Sequence, residues 1–235
     1  MGTCHIKSKM PVISADFWFS RNHDMILSQD HFFVKNTMHN SAPVIDSQKS
    51  VKEALAQNPD SLAPEDVLET LRVEVVEYVG FDGLIHQGQI VMHKDRLDDV
   101  LAFFELARKL SFPIRSVVPI SDPRYVWDDE RSCAGNNSSG FNYRTVSGNP
   151  TKLSRHALGV AFDINPVQNV YVRYDKDMKE VFRFPPNCFY DKEASGTLTV
   201  DHPLVVFMKE RGWVWGGDWT PESGRVDYQH FEKAL

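Results

Sequence analysis

The chain has 235 residues, with 42% hydrophobic residues, 25% charged residues and a formal net charge of −6. These values are typical of a globular protein that buries a sizeable core without help from disulfides. Acids and bases are interspersed without a basic stripe or tail, so nothing in the charge pattern supports a nucleic-acid partner. No apolar run approaches the roughly 18 residues needed to span a bilayer, and no transmembrane segment is predicted.

The N-terminus and the cysteines leave two questions open. Residues 1–20 lack a basic segment followed by an uninterrupted apolar run. We therefore expect the protein to be cytoplasmic, or periplasmic or extracellular if a signal peptide has been removed. The cysteines are odd in number, with no CxxC pair, which argues against a thiolate zinc site and a disulfide framework. A single bridge between Cys133 and Cys188 remains an alternative.

The first part of the chain is predicted to form an N-terminal extension. Residues 1–45 combine aromatic side chains with His and Asn but show no clean periodicity. Disordered tails are poor in aromatics, so an irregular segment packed on the main domain is expected. Residues 46–72 hold polar helical material, with a helix start at Pro64 followed by two acids. We predict an N-terminal extension, irregular and helical, over residues 1–65 and a main domain over residues 66–235.

Short strands and helices are predicted in the main domain from β-branched runs and from helical apolar periodicity. The strands are 73–79, 89–93, 113–120, 160–164 and 227–231, and the helices are 95–110 and 203–211. Residues 121–150, rich in Asp, Ser, Asn and Gly, predict a long loop, and loops of that length are usually functional. Residues 165–200 predict a second irregular stretch. Because βαβ alternation is lacking, the fold class is α+β, with a small, mostly antiparallel sheet, peripheral helices and long loops.

The segment around residues 154–166 carries the first sign of chemistry. His156 and Asp163 lie seven residues apart. Gly159 and the small Ala161 lie between them, which would allow close backbone approach around a metal. On spacing alone this pair indicates only a possible metal site.

A second candidate segment lies near the C-terminus, where Asp227 precedes His230 by three residues. In a regular strand these two side chains would point to opposite faces, so a bulge or a strand end is needed for both to reach one site. Two imidazoles and one carboxylate would suit a catalytic zinc ion, which takes three protein ligands and keeps a fourth position for water. Such a site lowers the pKa of the bound water toward ~7.

Together these segments resemble the M15 family of zinc peptidases, which includes D-Ala-D-Ala carboxypeptidases, dipeptidases and phage endolysins. The family signature SxHxxGxAxD is matched at every fixed position, by Ser154, His156, Gly159, Ala161 and Asp163. The family's acid three residues before a His is matched by Asp227 and His230. The flanks FDG (81–83), NNSSGFNYR (136–144), DINP (163–166) and GWVWGGDW (212–219) are similar to the branch that acts on cell-wall peptides. The resemblance covers roughly residues 74–235 and implies a Hedgehog/DD-peptidase-like fold.

The resemblance also implies roles for single residues. One zinc ion per chain would be held by His156, Asp163 and His230. Asp227 would be the catalytic acid and base, and Arg144 would contact the substrate near the scissile bond and act in catalysis. For Asp227 the alternative is orientation of His230, and for Arg144 it is a surface ion pair.

Two further residues are candidates for substrate binding. Ser154 either hydrogen-bonds a ligand or caps its local turn. Of the three tryptophans in the 212–219 segment, Trp215 is assigned to the substrate groove, and at least one of the three is expected to pack in the core. Glu232 is expected behind the metal site or in solvent, and His202 at the entry to a helix.

The function implied for a zinc peptidase domain over residues 66–235 is hydrolysis of a peptide bond in peptidoglycan stem peptides or muropeptides. A D-alanyl-D-alanine carboxypeptidase is favoured, because Arg144 offers a cation to a terminal carboxylate. One alternative is an endopeptidase cutting an L-Ala to D-Glu type of bond. Another is a zinc-bearing domain that binds without catalysis, as in the related Hedgehog signalling domain. A monomer is expected.

Overall fold

The computed structural model describes residues 42–146 and 149–235. The predicted packing of the segment before residue 42 therefore lies outside the described residues. Within the described ranges, no helix is long and apolar enough to cross a membrane. The architecture combines short helices with small sheets that are mainly antiparallel, which confirms the predicted α+β class.

The helices and strands of the described ranges follow in chain order. The helices are α1 (Val51–Ala54), α2 (Glu65–Thr70), α3 (Leu97–Lys109), α4 (Asp129–Ala134) and α5 (Pro203–Glu210). The strands are β1 (Val44–Ile45), β2 (Leu71–Val79), β3 (Ile85–His93), β4 (Ser116–Val117), β5 (Asn137–Ser138), β6 (Thr145–Val146), β7 (Asn149–Leu153), β8 (Ala161–Asp163), β9 (Tyr171–Tyr174), β10 (Glu180–Phe184), β11 (Val214–Trp215), β12 (Arg225–Asp227) and β13 (His230–Glu232). Four short 3-10 turns are Lys94–Arg96, Arg155–Leu158, Gly216–Asp218 and Pro221–Ser223.

The core forms where α3 packs on a long hairpin. Strands β2 and β3 pair in antiparallel register along their whole length, and β1 adds to β3 in parallel. The tight turn between them uses Gly83 at φ 78°, a conformation that glycine adopts without steric cost. The apolar face of α3 is fully buried, through Val100, Phe103, Phe104 and Ala107. The predicted strands and helix of this region are therefore confirmed, with β3 beginning four residues earlier than expected.

Two three-stranded sheets form the C-terminal part. One has the order β11-β13-β8 and the other the order β10-β9-β12. Phe162 and Phe231 stack across β8 and β13 with ring centroids 5.2 Å apart, and both are fully buried against α3. This core contact fixes the position of the polar residue that follows Phe162 and of the one that precedes Phe231.

Several sequence predictions are wrong in this part of the chain. The expected strand 113–120 is reduced to β4, and the expected loop 121–150 contains α4, β5, β6 and the first two residues of β7. The expected irregular stretch 165–200 contains the hairpin β9/β10, and β9 also pairs with the distant β12. These elements are short and are held by long-range partners, so their local periodicity is weak. Cys133 and Cys188 are free thiols, so they do not form the bridge left open above.

The segment before β2 is attached to the main domain by polar contacts. Ser47 donates from its hydroxyl to Gln89 at 2.8 Å, and the Lys49 backbone N–H donates to the same Gln89 oxygen at 2.6 Å. Ala54 and Ala63 are buried in a small apolar cluster with Val91 of β3. The boundary near residue 65 remains a prediction, because these contacts describe packing and not independent folding.

The buried carboxylate of Asp122 forms an ion pair with the segment before β2, and this contact gives a testable prediction. Asp122 is 8% exposed and pairs with Lys49 Nζ at 3.0 Å and Arg124 Nε at 2.9 Å. Burial alone would raise the pKa of Asp122, but hydrogen bonds from Arg124 and Lys49 outweigh it and lower the pKa to about 2. Because the folded-state pKa lies below the unfolded value, the stabilisation is complete above about pH 4 and is lost as the pH falls toward 2.

We therefore expect Asp122→Asn to lower the free energy of unfolding by about 2 kcal/mol at pH 7. The difference from the unmodified protein should shrink at pH 3 and be smallest near pH 2. Urea unfolding at these pH values measures it, with the exposed Asp177→Asn as a matched control. An Asp122→Asn effect that is the same at pH 7 and pH 2 would contradict the assignment.

Candidate active site

His156 lies on the 3-10 turn Arg155–Leu158, whose ends are fixed by neighbours in the chain. The Ser154 hydroxyl accepts a hydrogen bond from the His156 backbone N–H at 3.3 Å, so Ser154 caps the turn. The imidazole Nδ1 donates to the carbonyl oxygen of Gly140 at 2.7 Å. This hydrogen bond fixes the ring so that Nε2 faces the cluster described next.

Gly159 ends this turn with φ 65°, a left-handed conformation that favours glycine. A Cβ added there would lie 2.7 Å from the backbone nitrogen of His93 in β3, which donates to the Gly159 carbonyl at 2.8 Å. The close approach that the sequence suggested is therefore real, but it joins the turn to β3. It does not bring backbone around a metal.

Asp163 and His230 are cross-strand partners in β8 and β13. Residues directly opposite each other in an antiparallel pair hold their side chains close together. His230 Nδ1 lies 3.0 Å from Asp163 Oδ1, and His156 Nε2 lies 3.3 Å from Asp163 Oδ2. The two imidazoles also approach each other, with His156 Nε2 3.1 Å from His230 Nδ1. One potential ligand atom from each of the three residues lies within 4.8 Å of the others, and all three residues are buried.

The chemistry of this donor set fits a zinc ion. Each imidazole turns one nitrogen inward and engages the other outside, His156 with the Gly140 carbonyl and His230 Nε2 with Glu232 Oε2 at 3.1 Å. A carboxylate or carbonyl behind each ligating imidazole is typical of metal sites. Two nitrogens and one carboxylate oxygen are the donors of many catalytic zinc ions. Glu232 therefore lies behind His230, which is one of the two positions expected from the sequence.

Electrostatics bind the same three residues together. Burial would raise the pKa of Asp163, but His156 and His230 hold it well below its usual range. Burial opposes protonation of His230, yet its hydrogen bonds to Asp163 and Glu232 raise its pKa to about 10. The carboxylates around His230 thus favour positive charge at this position.

Asp227 ends β12, and His230 begins β13 after a two-residue break. The predicted interruption between them is therefore present, and both side chains line one cleft. Asp227 Oδ1 is buried and has no hydrogen-bond partner in the described part of the chain. Burial, with a smaller contribution from Asp163, raises the pKa of Asp227 to about 7 against the opposing charges of His230, Arg225 and Arg144. A carboxyl with such a pKa can accept and return a proton near neutral pH.

Arg144 also lines the cleft, but its charge is partly neutralised by an ion pair with Asp129. Its Nη2 pairs with Asp129 Oδ2 at 2.8 Å, and its Nη1 donates to the Thr145 carbonyl at 3.2 Å. The buried Nε has no partner among the described residues. Asp129 belongs to α4, so the sequence prediction of a loop missed the carboxylate that orients this guanidinium.

The cleft has a volume of about 290 Å³. Besides the residues above, its walls include Ser154, Lys152, Arg155, Tyr171, Trp219, Arg225, Gln229 and Glu232. The full lining of the cleft holds as many carboxylates as Arg and Lys side chains, which suits a polar substrate.

The tryptophans are distributed differently from the prediction. Trp215 is 2% exposed and packs in the core, with Nε1 donating to the Tyr228 carbonyl at 2.8 Å. Trp213 is buried in the same core. The assignment of Trp215 to the substrate groove therefore disagrees with its position, and Trp219 lies on the cleft wall instead, 5.5 Å from the His230 ring.

A buried cluster of two imidazoles and a carboxylate, beside an unpaired carboxyl group in an open polar cleft, is typical of a hydrolase. Residues 147–233 match the model of an M15 peptidase family described as D-alanyl-D-alanine carboxypeptidase. Over this segment the chain is similar to the M15 peptidases, which confirms the resemblance seen in the sequence. Comparisons with curated proteins and with solved structures gave no match.

Proposed function

We propose that the protein is a zinc-dependent peptidase that removes the terminal D-alanine from peptidoglycan stem peptides, with one zinc ion per chain. The observation that carries this proposal is the convergence of His156, Asp163 and His230 beside the unpaired carboxyl of Asp227. The match of residues 147–233 to a family model described as D-alanyl-D-alanine carboxypeptidase supports the choice of reaction.

Zinc bound by these three residues would supply Lewis acidity to the peptide carbonyl and lower the pKa of a water molecule. Asp227 then accepts a proton from the attacking water as its oxygen bonds to the carbonyl carbon. The same carboxyl returns the proton to the amine nitrogen as the carbon–nitrogen bond breaks. A pKa of about 7 suits both transfers, because neither protonation state is strongly favoured near neutral pH.

Arg144 contributes a fixed cation to the same reaction. Its ion pair with Asp129 holds the guanidinium in place, and its buried Nε retains an unused donor. Hydrogen-bond donors that are fixed in advance stabilise negative charge as it develops on a carbonyl oxygen. We therefore assign Arg144 to the scissile carbonyl and not to a distant part of the substrate.

The unpaired oxygen of Asp227 also favours an enzyme over a domain that only binds zinc. A carboxyl oxygen that is buried without a hydrogen-bond partner is costly to a fold, and a domain that only carries zinc has no use for it. Ser154 lines the cleft as well, but its hydroxyl accepts a hydrogen bond from the His156 backbone. We therefore assign Ser154 mainly to capping the turn and only in second place to substrate binding.

Mass spectrometry of products from a defined pentapeptide muropeptide tests this proposal. Purified protein loaded with zinc should shorten the pentapeptide to a tetrapeptide and release one D-alanine. Cleavage after L-alanine would instead indicate the endopeptidase. Full zinc occupancy without any product from this or related muropeptides would indicate a binding domain.

A further inference from the structure

The strand β12 presents two of its three residues to the cleft. Side chains alternate between the faces of a strand, so Arg225 and Asp227 share one face. Val226 between them is 4% exposed and points into the interior, while Arg225 and Asp227 both line the cleft. Arg225 therefore stands about 7 Å along the strand from the carboxyl that we assign to proton transfer.

The guanidinium of Arg225 is held in place by an aromatic ring and not by an acid. Its Cζ lies 4.2 Å from the centre of the Trp219 ring, a cation–π distance. Trp219 in turn lies against His230. Among the described residues, no carboxylate forms an ion pair with Arg225 within 4.0 Å. Asp227 and Glu232 interact with its charge only at longer range, so the guanidinium retains hydrogen-bond donors for a ligand.

The other cations of the cleft are less suited to bind a carboxylate. Arg144 is paired with Asp129 at 2.8 Å. Arg155 Nε lies 3.9 Å from Glu232 Oε1, so its charge is partly compensated. Lys152 is exposed, and no aromatic ring from residues 42–146 or 149–235 lies beneath it. A solvated ammonium on a flexible stem loses more on binding than a stacked guanidinium.

We propose that Arg225, positioned on Trp219, binds the terminal carboxylate of the peptide substrate and so restricts cleavage to the last peptide bond. In a peptide, the terminal carboxylate lies one residue, about 3.5 Å, beyond the scissile carbonyl. An arginine side chain rooted about 7 Å from Asp227 can meet it there, because a guanidinium binds a carboxylate through two parallel hydrogen bonds. This inference rests on the proposed carboxypeptidase reaction and assigns to Arg225 the selectivity that the sequence assigned to Arg144.

The test compares an N-acetylated peptide ending in D-Ala-D-Ala with the same peptide as its C-terminal amide. The unmodified enzyme should prefer the free acid. Arg225→Gln should lower kcat/KM for the acid about 10- to 100-fold, mainly through KM, and leave the amide almost unchanged. Arg144→Gln should lower kcat for acid and amide by similar factors. Lys152→Gln, which removes a charge from the same cleft, should keep the preference for the acid.

A binding measurement separates this inference from the proposed function. In an Asp227→Ala background, calorimetry should show that Arg225→Gln weakens binding of the acid about tenfold or more and does not change binding of the amide. If the active enzyme releases D-alanine but Arg225→Gln keeps the full acid preference, the role of Arg225 is overturned and the proposed function stands. Equal loss of acid preference in Lys152→Gln would also overturn it, because the cause would then be the general charge of the cleft. If no D-alanine is released, the proposed function fails, and the calorimetric comparison alone decides the role of Arg225.

Discussion

Replacing Asp227 by alanine is expected to lower kcat by about 10²- to 10⁴-fold while zinc remains bound. The carboxyl lines the cleft and has an unpaired oxygen, but it lies outside the three-residue cluster. Its loss should remove proton transfer without removing a metal ligand. Steady-state hydrolysis of a D-Ala-D-Ala peptide, with zinc content measured on the same sample, checks both parts.

The choice of control matters for Asp227, because its burial could make a substitution destabilising. Asp227→Asn keeps the shape of the side chain and should lose almost as much activity as Asp227→Ala. Asp201→Ala removes an exposed carboxylate outside the cleft and should keep full activity. Substantial turnover in Asp227→Asn would show that another group carries the proton. Zinc loss in either Asp227 variant would point instead to orientation of His230.

Replacing His156 by alanine should abolish stoichiometric zinc binding and all measurable hydrolysis. The imidazole supplies one of three converging donors, and the remaining two leave the metal too exposed to water. At a free zinc concentration of about 100 times Kd, the unmodified protein should gain roughly 2.7 kcal/mol, or about 5–10 °C in Tm. The His156→Ala protein should gain almost nothing. Elemental analysis and thermal unfolding with and without zinc measure these differences.

His202 provides the control, because it is a partly buried histidine that lies outside the cluster. Its Nδ1 accepts a hydrogen bond from the Leu204 backbone N–H and caps α5. His202→Asn preserves a capping side chain and should retain both zinc and the stabilisation by zinc. A His156→Ala protein that still bound one zinc ion per chain would exclude the assigned ligand set.

The convergence of His156, Asp163 and His230 was partly predictable because much of its information is local. His156 and Asp163 occur in one short motif, and the turn and strand that carry them follow directly from that motif. His230 required the family resemblance, since nothing in local spacing links it to a residue 67 positions earlier. Cross-strand pairing of β8 and β13 supplies that link, and pairing register cannot be deduced from short strands.

The walls of the cleft were less predictable. Trp213 and Trp215 share one face of an extended segment, and their common burial could have been inferred from that alternation. The 3-10 turn Gly216–Asp218 then redirects the chain and places Trp219 in the cleft. Such a turn is set by tertiary contacts; a Cβ on Gly216 would lie 2.5 Å from the Asp227 carbonyl oxygen.

The same reasoning applies to the fold. The nine-residue strands of the main hairpin and the long helix α3 have clear periodicity and were predicted well. Helix α4 has six residues, and the β9/β10 hairpin depends on pairing with β12. Short elements gain their stability from distant partners, so their sequences carry little local signal.

His156 and Asp163 lie far along the chain from His230, so the three side chains come together only late in folding. Closing the loop between β8 and β13 costs conformational entropy. This cost is offset only after the aromatic residues of the two strands have stacked on α3. Folding intermediates that lack this contact would hold the donors apart. The pairing of these two three-residue strands is therefore required to assemble the proposed metal site, and we expect only molecules that have completed their core to form it.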